Sequence, residues 1–292
     1  MTAVYCFCFA PATALPTLAQ LAAGGAGPPG DAPGGEAPVV TGWADCDWED
    51  AIQVRTVAGL SVVLSLVPSA RFTGPAAEQR LSDLAWLLPR VRAHDCVITR
   101  AMARTTVFPL RFATLFSSLG ALAAEMADRR RTLLTYFAEM GGREEWAVKA
   151  LLDQDQAVSA QLQRLYPTLP AAPTGAAPAA VTSAGAAPGG DRPSGRDYLL
   201  QQRRRGEAER ALGPWLDGIT TAIDTALGRH CQSLLARPAT APAVLNRACL
   251  LETGAVATWR SNLDALDREL TPWGLRLHCS GPWPLYSFCA RA

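Results

Sequence analysis

The order of apolar and polar positions along the chain predicts strands that alternate with helices. Short runs rich in β-branched and aromatic residues predict strands, and longer segments with apolar residues three and four apart predict helices. Residues 4–9 form one such apolar run. Residues 52–57 and 60–67 form two more, and Ala58-Gly59 between them indicates a hairpin. The N-terminal part of the chain is therefore predicted to contain a small sheet.

Helical periodicity begins after this hairpin. Residues 79–88 place Leu81, Leu84 and Leu88 on one face, and Pro89 is expected to start a second helix that runs to about residue 102. That second helix should bring Val91, Asp95 and Ile98 together. Later helices are expected over residues 119–140, 154–165, 195–235 and 255–270, the third of them kinked or split by Pro214.

Four more strands are expected to alternate with these helices. They cover residues 107–112, 145–152, 244–251 and 275–279. Pro109 predicts an edge position for the first, and Trp146, Val148 and Ala150 should share one face of the second. From about residue 105 the order gives two βαβ units in series, which favours a ferredoxin-like arrangement with inserted helices.

The fold class is therefore predicted to be α+β with two domains. The expected domains are a small α+β domain over residues 1–102 and a modified ferredoxin-like domain over residues 103–280, followed by a tail over residues 281–292. Two tracts rich in Gly, Pro and Ala, residues 22–38 and 167–194, lack periodicity. They are predicted to be a mobile loop and a disordered loop.

The tail contains an unusual aromatic sequence. Residues 281–288 read GPWPLYSF, so Pro282 and Pro284 flank Trp283 and hold the backbone extended. Tyr286 and Phe288 then lie two apart, on one side of an extended segment. Because exposed rigid aromatic side chains promote aggregation, the tail is expected to pack at the domain junction, with Trp283 buried as a clamp. The alternative is that Trp283 is exposed and contacts a partner protein.

This octapeptide closely resembles GPWPPYSF, the ending of the gas vesicle protein F and L family (GvpF/GvpL). Four further segments resemble family segments in the same order: HDCV at 94–97 resembles HE-x-V, TVFPLRFAT at 106–114 resembles TVLPLRFGT, EWAVK at 145–149 resembles EWxVK, and GRDYL at 195–199 resembles GxxYL. The chain departs from the pattern at Asp95, Ala113 and Leu285. Ala113, which replaces a glycine, indicates a position that needs no positive φ.

The resemblance implies a role in gas vesicle assembly. The chain would be a minor structural component or a chaperone-like factor that binds the vesicle shell protein, with other accessory proteins as further partners. It would be cytoplasmic and associated with the vesicle. The positions matched to family motifs are expected to be structural or to contact a partner. They are Pro109, Arg111, Phe112, Trp146, Lys149, Gly281, Pro282, Trp283, Pro284, Tyr286, Ser287 and Phe288.

The amino-acid composition argues against several other classes of protein. The 292 residues are 49% hydrophobic and carry a net charge of +1, so no global field would recruit nucleic acid or anionic lipid. No apolar run reaches the roughly 20 residues of a membrane span. The uncharged N-terminal segment lacks the basic residues of a signal peptide. In a cytoplasmic protein, the eight cysteines are expected to be reduced and buried.

The sequence offers weak support for catalysis. Each of the three histidines has a nearby cysteine, in the pairs His94 with Cys96, His230 with Cys231 and His278 with Cys279. Side chains at these spacings diverge on a helix and point to opposite faces on a strand when adjacent. We therefore expect no enzyme, no catalytic residues, and no cofactor or metal site. Two alternatives stay open: an enzyme with a Cys/His pair formed across domains, and an interaction adaptor unrelated to vesicles.

Overall fold

The computed structural model describes residues 1–14, 43–167 and 195–289. The expected loop at 22–38 lies outside the described residues, as does the expected loop at 167–194 apart from Pro167. The chain divides into two compact units. The first unit comprises Met1–Glu145 with Pro282–Ala292, and the second comprises Trp146–Gly281. Residues 103–145 thus group with the N-terminal residues, whereas the sequence analysis placed a boundary after residue 102.

The first unit is built on an antiparallel sheet with the order β2-β3-β1-β4, and β5 also pairs with β1. The strands are β1 (Thr2–Ala10), β2 (Ile52–Val57), β3 (Leu60–Pro68), β4 (Phe108–Pro109) and β5 (Leu115–Phe116). Every residue of β1 after Thr2 is buried, as its apolar sequence predicts. Ala58 and Gly59 turn the β2-β3 hairpin with positive φ angles of 49° and 74°, which match a primed turn.

The pairing of β4 and β5 with β1 explains the position of the unit boundary. β4 lies at the edge of the sheet, as Pro109 predicts, but it has only two residues where a strand over 107–112 was expected. The chain turns instead: Thr114 donates both its N–H and its hydroxyl to the carbonyl of Arg111. Ala113 in this turn has φ 63°. The expectation that Ala113 needs no positive φ is therefore wrong.

The helices of the first unit differ from the prediction in where they break. They are α1 (Pro75–Ser82), α2 (Leu84–Met102), α3 (Leu119–Asp128) and α4 (Arg130–Met140). The break expected at Pro89 lies at Asp83, whose carboxylate accepts the N–H of Ala85 at 2.9 Å and caps α2. Pro89 lies inside α2. The single helix expected over 119–140 is divided at Arg129.

The buried face of α2 also differs from the expected one. Leu84 and Leu88 are exposed, and Val91 and Asp95 are only half-buried. The residues that α2 buries are Ala93, His94, Val97, Ile98 and Ala101. This face contains a histidine and two alanines, so a prediction based on large apolar residues identifies the wrong face of the helix.

The second unit contains an antiparallel β7-β8 pair within a four-stranded sheet of order β7-β8-β6-β9. Its strands are β6 (Arg143–Leu152), β7 (Ser233–Ala236), β8 (Ala243–Glu252) and β9 (Leu275–Trp283), and its helices are α5 (Gln154–Leu165), α6 (Gly195–Gly228) and α7 (Val256–Leu270). The order β6-α5-α6-β7-β8-α7-β9 is compatible with the predicted ferredoxin-like arrangement. β6, rather than residues 107–112, begins it.

Two details of this unit correct the prediction. The helix expected over 195–235 ends at Gly228, and β7 occupies part of the remaining stretch. Pro214 does not split α6, which continues through it. The face of β6 is as predicted: Trp146, Val148 and Ala150 are all buried in one core cluster.

The cysteines depart from the expectation that all are reduced. Cys46 and Cys96 form a disulfide with their Cα atoms 5.4 Å apart. A short 3-10 turn, Ala44–Cys46, packs against α2 and brings together two residues separated by 50 positions. The other six cysteines are free. Within the described ranges, no helix is long and apolar enough to cross a membrane.

Candidate functional site

The tail has an exposed part and a buried part. Gly281, Pro282 and Trp283 are exposed, and the Trp283 side chain has a relative exposure of 46%. After Pro284 the chain turns, and the N–H of Phe288 donates to the carbonyl of Leu285 at 3.1 Å. Leu285 and Phe288 are buried, at 4% and 3% exposure. The expectation that Trp283 is buried is therefore wrong, because the tail buries other residues.

A hydrogen bond joins the tail to α2. The hydroxyl of Tyr286 donates to the Asp95 carboxylate at 3.0 Å. Burial raises the pKa of Asp95, and the hydrogen bond from Tyr286 partly opposes this shift. Burial and the charge of Asp95 raise the pKa of Tyr286. The tyrosine therefore remains protonated and can serve as the donor.

Glu145 holds the next residue of the tail. Its two carboxylate oxygens accept the backbone N–H of Ser287 at 3.0 Å and the Ser287 hydroxyl at 2.6 Å. Glu145 is 1% exposed. Because one side chain holds both the backbone N–H and the hydroxyl of Ser287, this pair of hydrogen bonds fixes the position of the tail backbone.

Cys289 is the last residue of the tail that the structure describes. Its thiol lies 3.1 Å from the carbonyl of Leu285 and 3.6 Å from the Tyr136 hydroxyl. Tyr136 in turn donates to the carbonyl of Val107 at 3.2 Å. Burial raises the pKa of Cys289 to about 12, so the thiol is protonated and lacks the character of a nucleophile.

His94 lies next to Asp95 on α2 and has a structural environment. Its Nδ1 accepts the Tyr5 hydroxyl at 2.9 Å, and its Nε2 donates to the carbonyl of Leu110 at 3.0 Å. Desolvation lowers the pKa of His94 to about 4, which keeps the ring neutral near pH 7. Cys96, the nearby cysteine, is in the disulfide. This His/Cys pair is therefore not a catalytic pair.

The residues of the 106–114 segment lie in the same unit as the tail. Pro109 is buried on β4, and Phe112 is half-buried with its ring centroid 5.8 Å from that of His94. Phe112 and Tyr286 pack against the same core cluster. Arg111 is exposed. The structure thus brings Pro109, Phe112 and the tail into one unit around β1 and α2.

Trp146 and Lys149 lie in the second unit on β6. Trp146 is 6% exposed, and the Arg260 guanidinium lies 5.2 Å from its ring centroid. Lys149 is exposed. The predicted residues therefore do not form a single cluster: the tail and the 106–114 segment belong to the first unit, and Trp146 and Lys149 to the second.

Sequence reasoning missed the residues that hold the tail. In the sequence, Glu145 stands out only as part of the EWAVK segment, and no pattern marks Tyr136. A carboxylate that begins a buried apolar strand is a signal, because a buried charge needs hydrogen-bond partners. Within the described ranges, no group of three or more His, Cys, Asp or Glu side chains could hold a metal ion.

The fold is that of an α+β protein with two compact units, and the rigid aromatic tail packs within the first unit. A family model described as "Gas vesicle synthesis protein GvpL/GvpF" matches residues 3–290. The chain belongs to this family.

Individual relatives agree with this assignment. The chain is 30% identical over 244 residues to gas vesicle protein L of Streptomyces sp. (strain CB03234), covering 80% of this chain and 81% of the relative. The crystal structure of GvpF from Anabaena sp. PCC7120 is similar with a TM-score of 0.62 at 15% identity, covering 99% of this chain and 98% of that one. GvpF from Microcystis aeruginosa gives 0.57 at 16% identity, with 98% of each chain covered. At these identities the two structures show a shared fold.

Proposed function

We propose that this chain is an accessory protein of gas vesicle formation that binds the vesicle shell protein, and that Trp283 contacts that partner. The observation that carries the proposal is the 46% exposure of Trp283 in a tail whose following residues are buried. Pro282 and Pro284 hold Trp283 in an extended backbone, so little conformational entropy remains to be lost on binding. A rigid exposed tryptophan has the properties of an interface anchor.

The chemistry of the partner favours such a contact. Shell subunits carry an apolar face that ends against gas, and before assembly this face would cause aggregation. A partner with an exposed aromatic side chain can cover part of it. The proposed function does not require catalysis.

The same proposal includes a cytoplasmic protein associated with the vesicle, with other accessory proteins as further partners. The proposal assigns the exposed side chains of Arg111 and Lys149 to these contacts. Deletion of the gene in a gas vesicle producer should abolish or reduce refractile, pressure-collapsible vesicles. Normal vesicles in the deletion strain would contradict a role in their formation.

Trp283→Ala tests the contact itself. Because the side chain is half-exposed, the substitution should leave the melting temperature nearly unchanged and weaken retention of purified shell protein about tenfold or more, as loss of an interface tryptophan does. Leu84→Ala is the control, since Leu84 is an exposed apolar residue outside the family motifs, at 63% exposure. Undiminished retention by the Trp283 variant would overturn the contact.

A further inference from the structure

A disulfide fastens a short segment, residues 43–50, to helix α2. This segment precedes β2, and its 3-10 turn packs against α2 where Cys46 is bonded to Cys96, with the two Cα atoms 5.4 Å apart. The bond spans 50 positions of sequence. A cross-link that closes a long loop removes much conformational entropy from the open state, so the covalent bond favours the attached position of the segment.

The 43–50 segment covers part of the aromatic core of the first unit. The ring centroid of Trp48 lies 4.6 Å from that of Tyr5 and 4.9 Å from that of Phe7. Tyr5 and Phe7 are fully buried on β1, and Trp48 is half-buried against them. Removal of the segment would therefore expose aromatic surface without breaking a strand of the sheet.

The ionic attachments of the segment are weak beside the covalent bond. Asp45 pairs with Arg100, and its side chain is 60% exposed. Glu49 pairs with Arg90, and its side chain is 45% exposed. Ion pairs with such exposure contribute little to stability, because water and salt screen them. The indole N–H of Trp48 is buried and, among the described residues, has no hydrogen-bond partner, so release of the segment would let water satisfy this donor.

The contacts that follow the segment do not depend on the disulfide. The Asp50 carboxylate pairs with Arg71, and the Ser65 hydroxyl on β3 donates to the carbonyl of Ala51 at 2.9 Å. β2 then begins at Ile52 and pairs with β3 along its whole length. A release that starts at Cys46 would therefore end before Asp50, and the sheet can stay folded when the bond is open.

The two sulfurs of the bond differ in access. Cys46 is 3% exposed, whereas Cys96 is half-buried, so an attacking thiolate reaches Cys96 first. The thiolate forms a mixed disulfide with Cys96, and Cys46 leaves as a thiolate that takes up a proton. The second thiol of a dithiol reductant then displaces Cys96, which also takes up a proton. The reductant has lost two electrons and become a disulfide, and the protein has gained two thiols.

We propose that the Cys46–Cys96 bond is a reversible redox switch, in which a dithiol reductant opens the bond and residues 43–49 leave α2 while the rest of the first unit stays folded. Disulfides of cytosolic proteins are usually transient and either catalytic or redox-sensing. That step rests on the cytoplasmic location in the proposed function, whereas the opening of the bond is a property of the isolated chain. A disulfide oxidant closes the bond again by the reverse exchange.

Hydrogen exchange on the full chain tests the release. After reduction with dithiothreitol, the amides of residues 43–49 should exchange at least tenfold faster, while those of β1 and β3 keep their protection. Reoxidation with glutathione disulfide should restore the slow exchange. Unchanged exchange in residues 43–49 would overturn the switch. Loss of protection in β1 and β3 would overturn it too, because the bond would then be a structural cross-link of the whole unit.

Cysteine variants assign the response to this bond. The double variant with Cys46→Ala and Cys96→Ala should show fast exchange in residues 43–49 with and without reductant. Cys231→Ala is the matched control, since Cys231 is a free, half-buried cysteine of the second unit, and this variant should respond like the native chain. A response to reductant that persists in the double variant would assign it to other thiols and overturn the proposal.

A trapping experiment tests the point of attack. The probe is a thioredoxin whose second active-site cysteine is replaced by serine, so that it cannot resolve the mixed disulfide. Mass spectrometry of the digested adduct should locate the mixed disulfide on Cys96. An adduct on Cys46 alone, or no adduct with either cysteine, would overturn the proposed exchange.

Discussion

The two halves of the tail sequence have opposite environments although they are adjacent in the chain. Residues 281–283 are exposed, whereas Leu285 and Phe288 are buried and Tyr286 and Ser287 are hydrogen-bonded to Asp95 and Glu145. Both halves contain aromatic residues and a proline. The difference shows that aromatic content alone does not decide which residues pack into a core.

The difference follows from how each half can be held. A segment with two prolines lacks two backbone donors, so its attachment depends on side chains and on the remaining backbone groups. Ser287 supplies both a backbone N–H and a hydroxyl to a single carboxylate. Residues 281–283 are the end of β9, which lies beside β6 in the sheet, whereas residues 285–288 are held by burial and by hydrogen bonds to Asp95 and Glu145.

The buried half should dominate stability. Phe288→Ala removes a fully packed aromatic ring and should lower the free energy of unfolding of the first unit by about 3–5 kcal/mol, measured by urea titration. Trp283→Ala should cost far less, because the ring is half-exposed. Equal losses of unfolding free energy from the two variants would show that both halves of the tail contribute equally to stability.

Lowering the pH should reduce the free energy of unfolding of the first unit, because His94 is buried there in its neutral form. Its pKa is about 4 in the folded chain and about 6.5 when unfolded. Only the unfolded chain then gains a proton between pH 6.5 and 4, so stability falls across this window by about 3 kcal/mol and levels off below it.

Urea titrations of the first unit at pH 7, 5.5 and 4.5 measure this loss. The raised pKa of Asp95 acts in the opposite direction, because its protonated form is favoured in the folded state, and it matters only near its own titration range. His94→Gln should lack the fall between pH 6.5 and 4. A native chain with constant stability over that range would contradict the neutral, desolvated histidine.

Ser287→Ala tests the hydrogen bonds between Ser287 and Glu145, and its expected effect on stability is smaller. It removes the hydroxyl donor to a carboxylate that is 1% exposed, so a loss of about 1–3 kcal/mol is expected. In a double-mutant cycle with Glu145→Gln, the combined loss should be less than the sum of the single losses. Additive losses would mean that the two side chains stabilise the unit independently.

The sequence predicts well what depends on local pattern. The hairpin at Ala58-Gly59, the buried face of β6 and helix α5 (Gln154–Leu165) are confirmed, because turn residues and apolar spacing determine them locally. The family motifs likewise identify the tail, and the missing N–H of Pro109 predicts the edge position of its strand. These are features that a single segment specifies alone.

The sequence does not predict what depends on contacts between distant segments. The attachment of Ser287 to Glu145 joins residues 142 positions apart, and the Cys46–Cys96 bond joins residues 50 apart. Trp283 is expected to be buried because exposed rigid aromatic side chains promote aggregation, but its burial depends on which neighbours surround it.

Ala113→Gly has the smallest expected effect and an unusual sign. Ala113 has φ 63°, a conformation that costs an L-residue with a Cβ about 1–2 kcal/mol. Its N–H donates to the Tyr5 hydroxyl at 3.2 Å, which in turn bonds His94, so the turn is held under the buried half of the tail. Glycine relieves the strain but loses more backbone entropy, and a net gain of about 0.5–1 kcal/mol is expected. Ala103→Gly is the control, because Ala103 ends α2 with φ −64° and its replacement should destabilise. Urea titrations of both variants measure the two signs, and equal destabilisation by both would show that the turn at Ala113 is not strained.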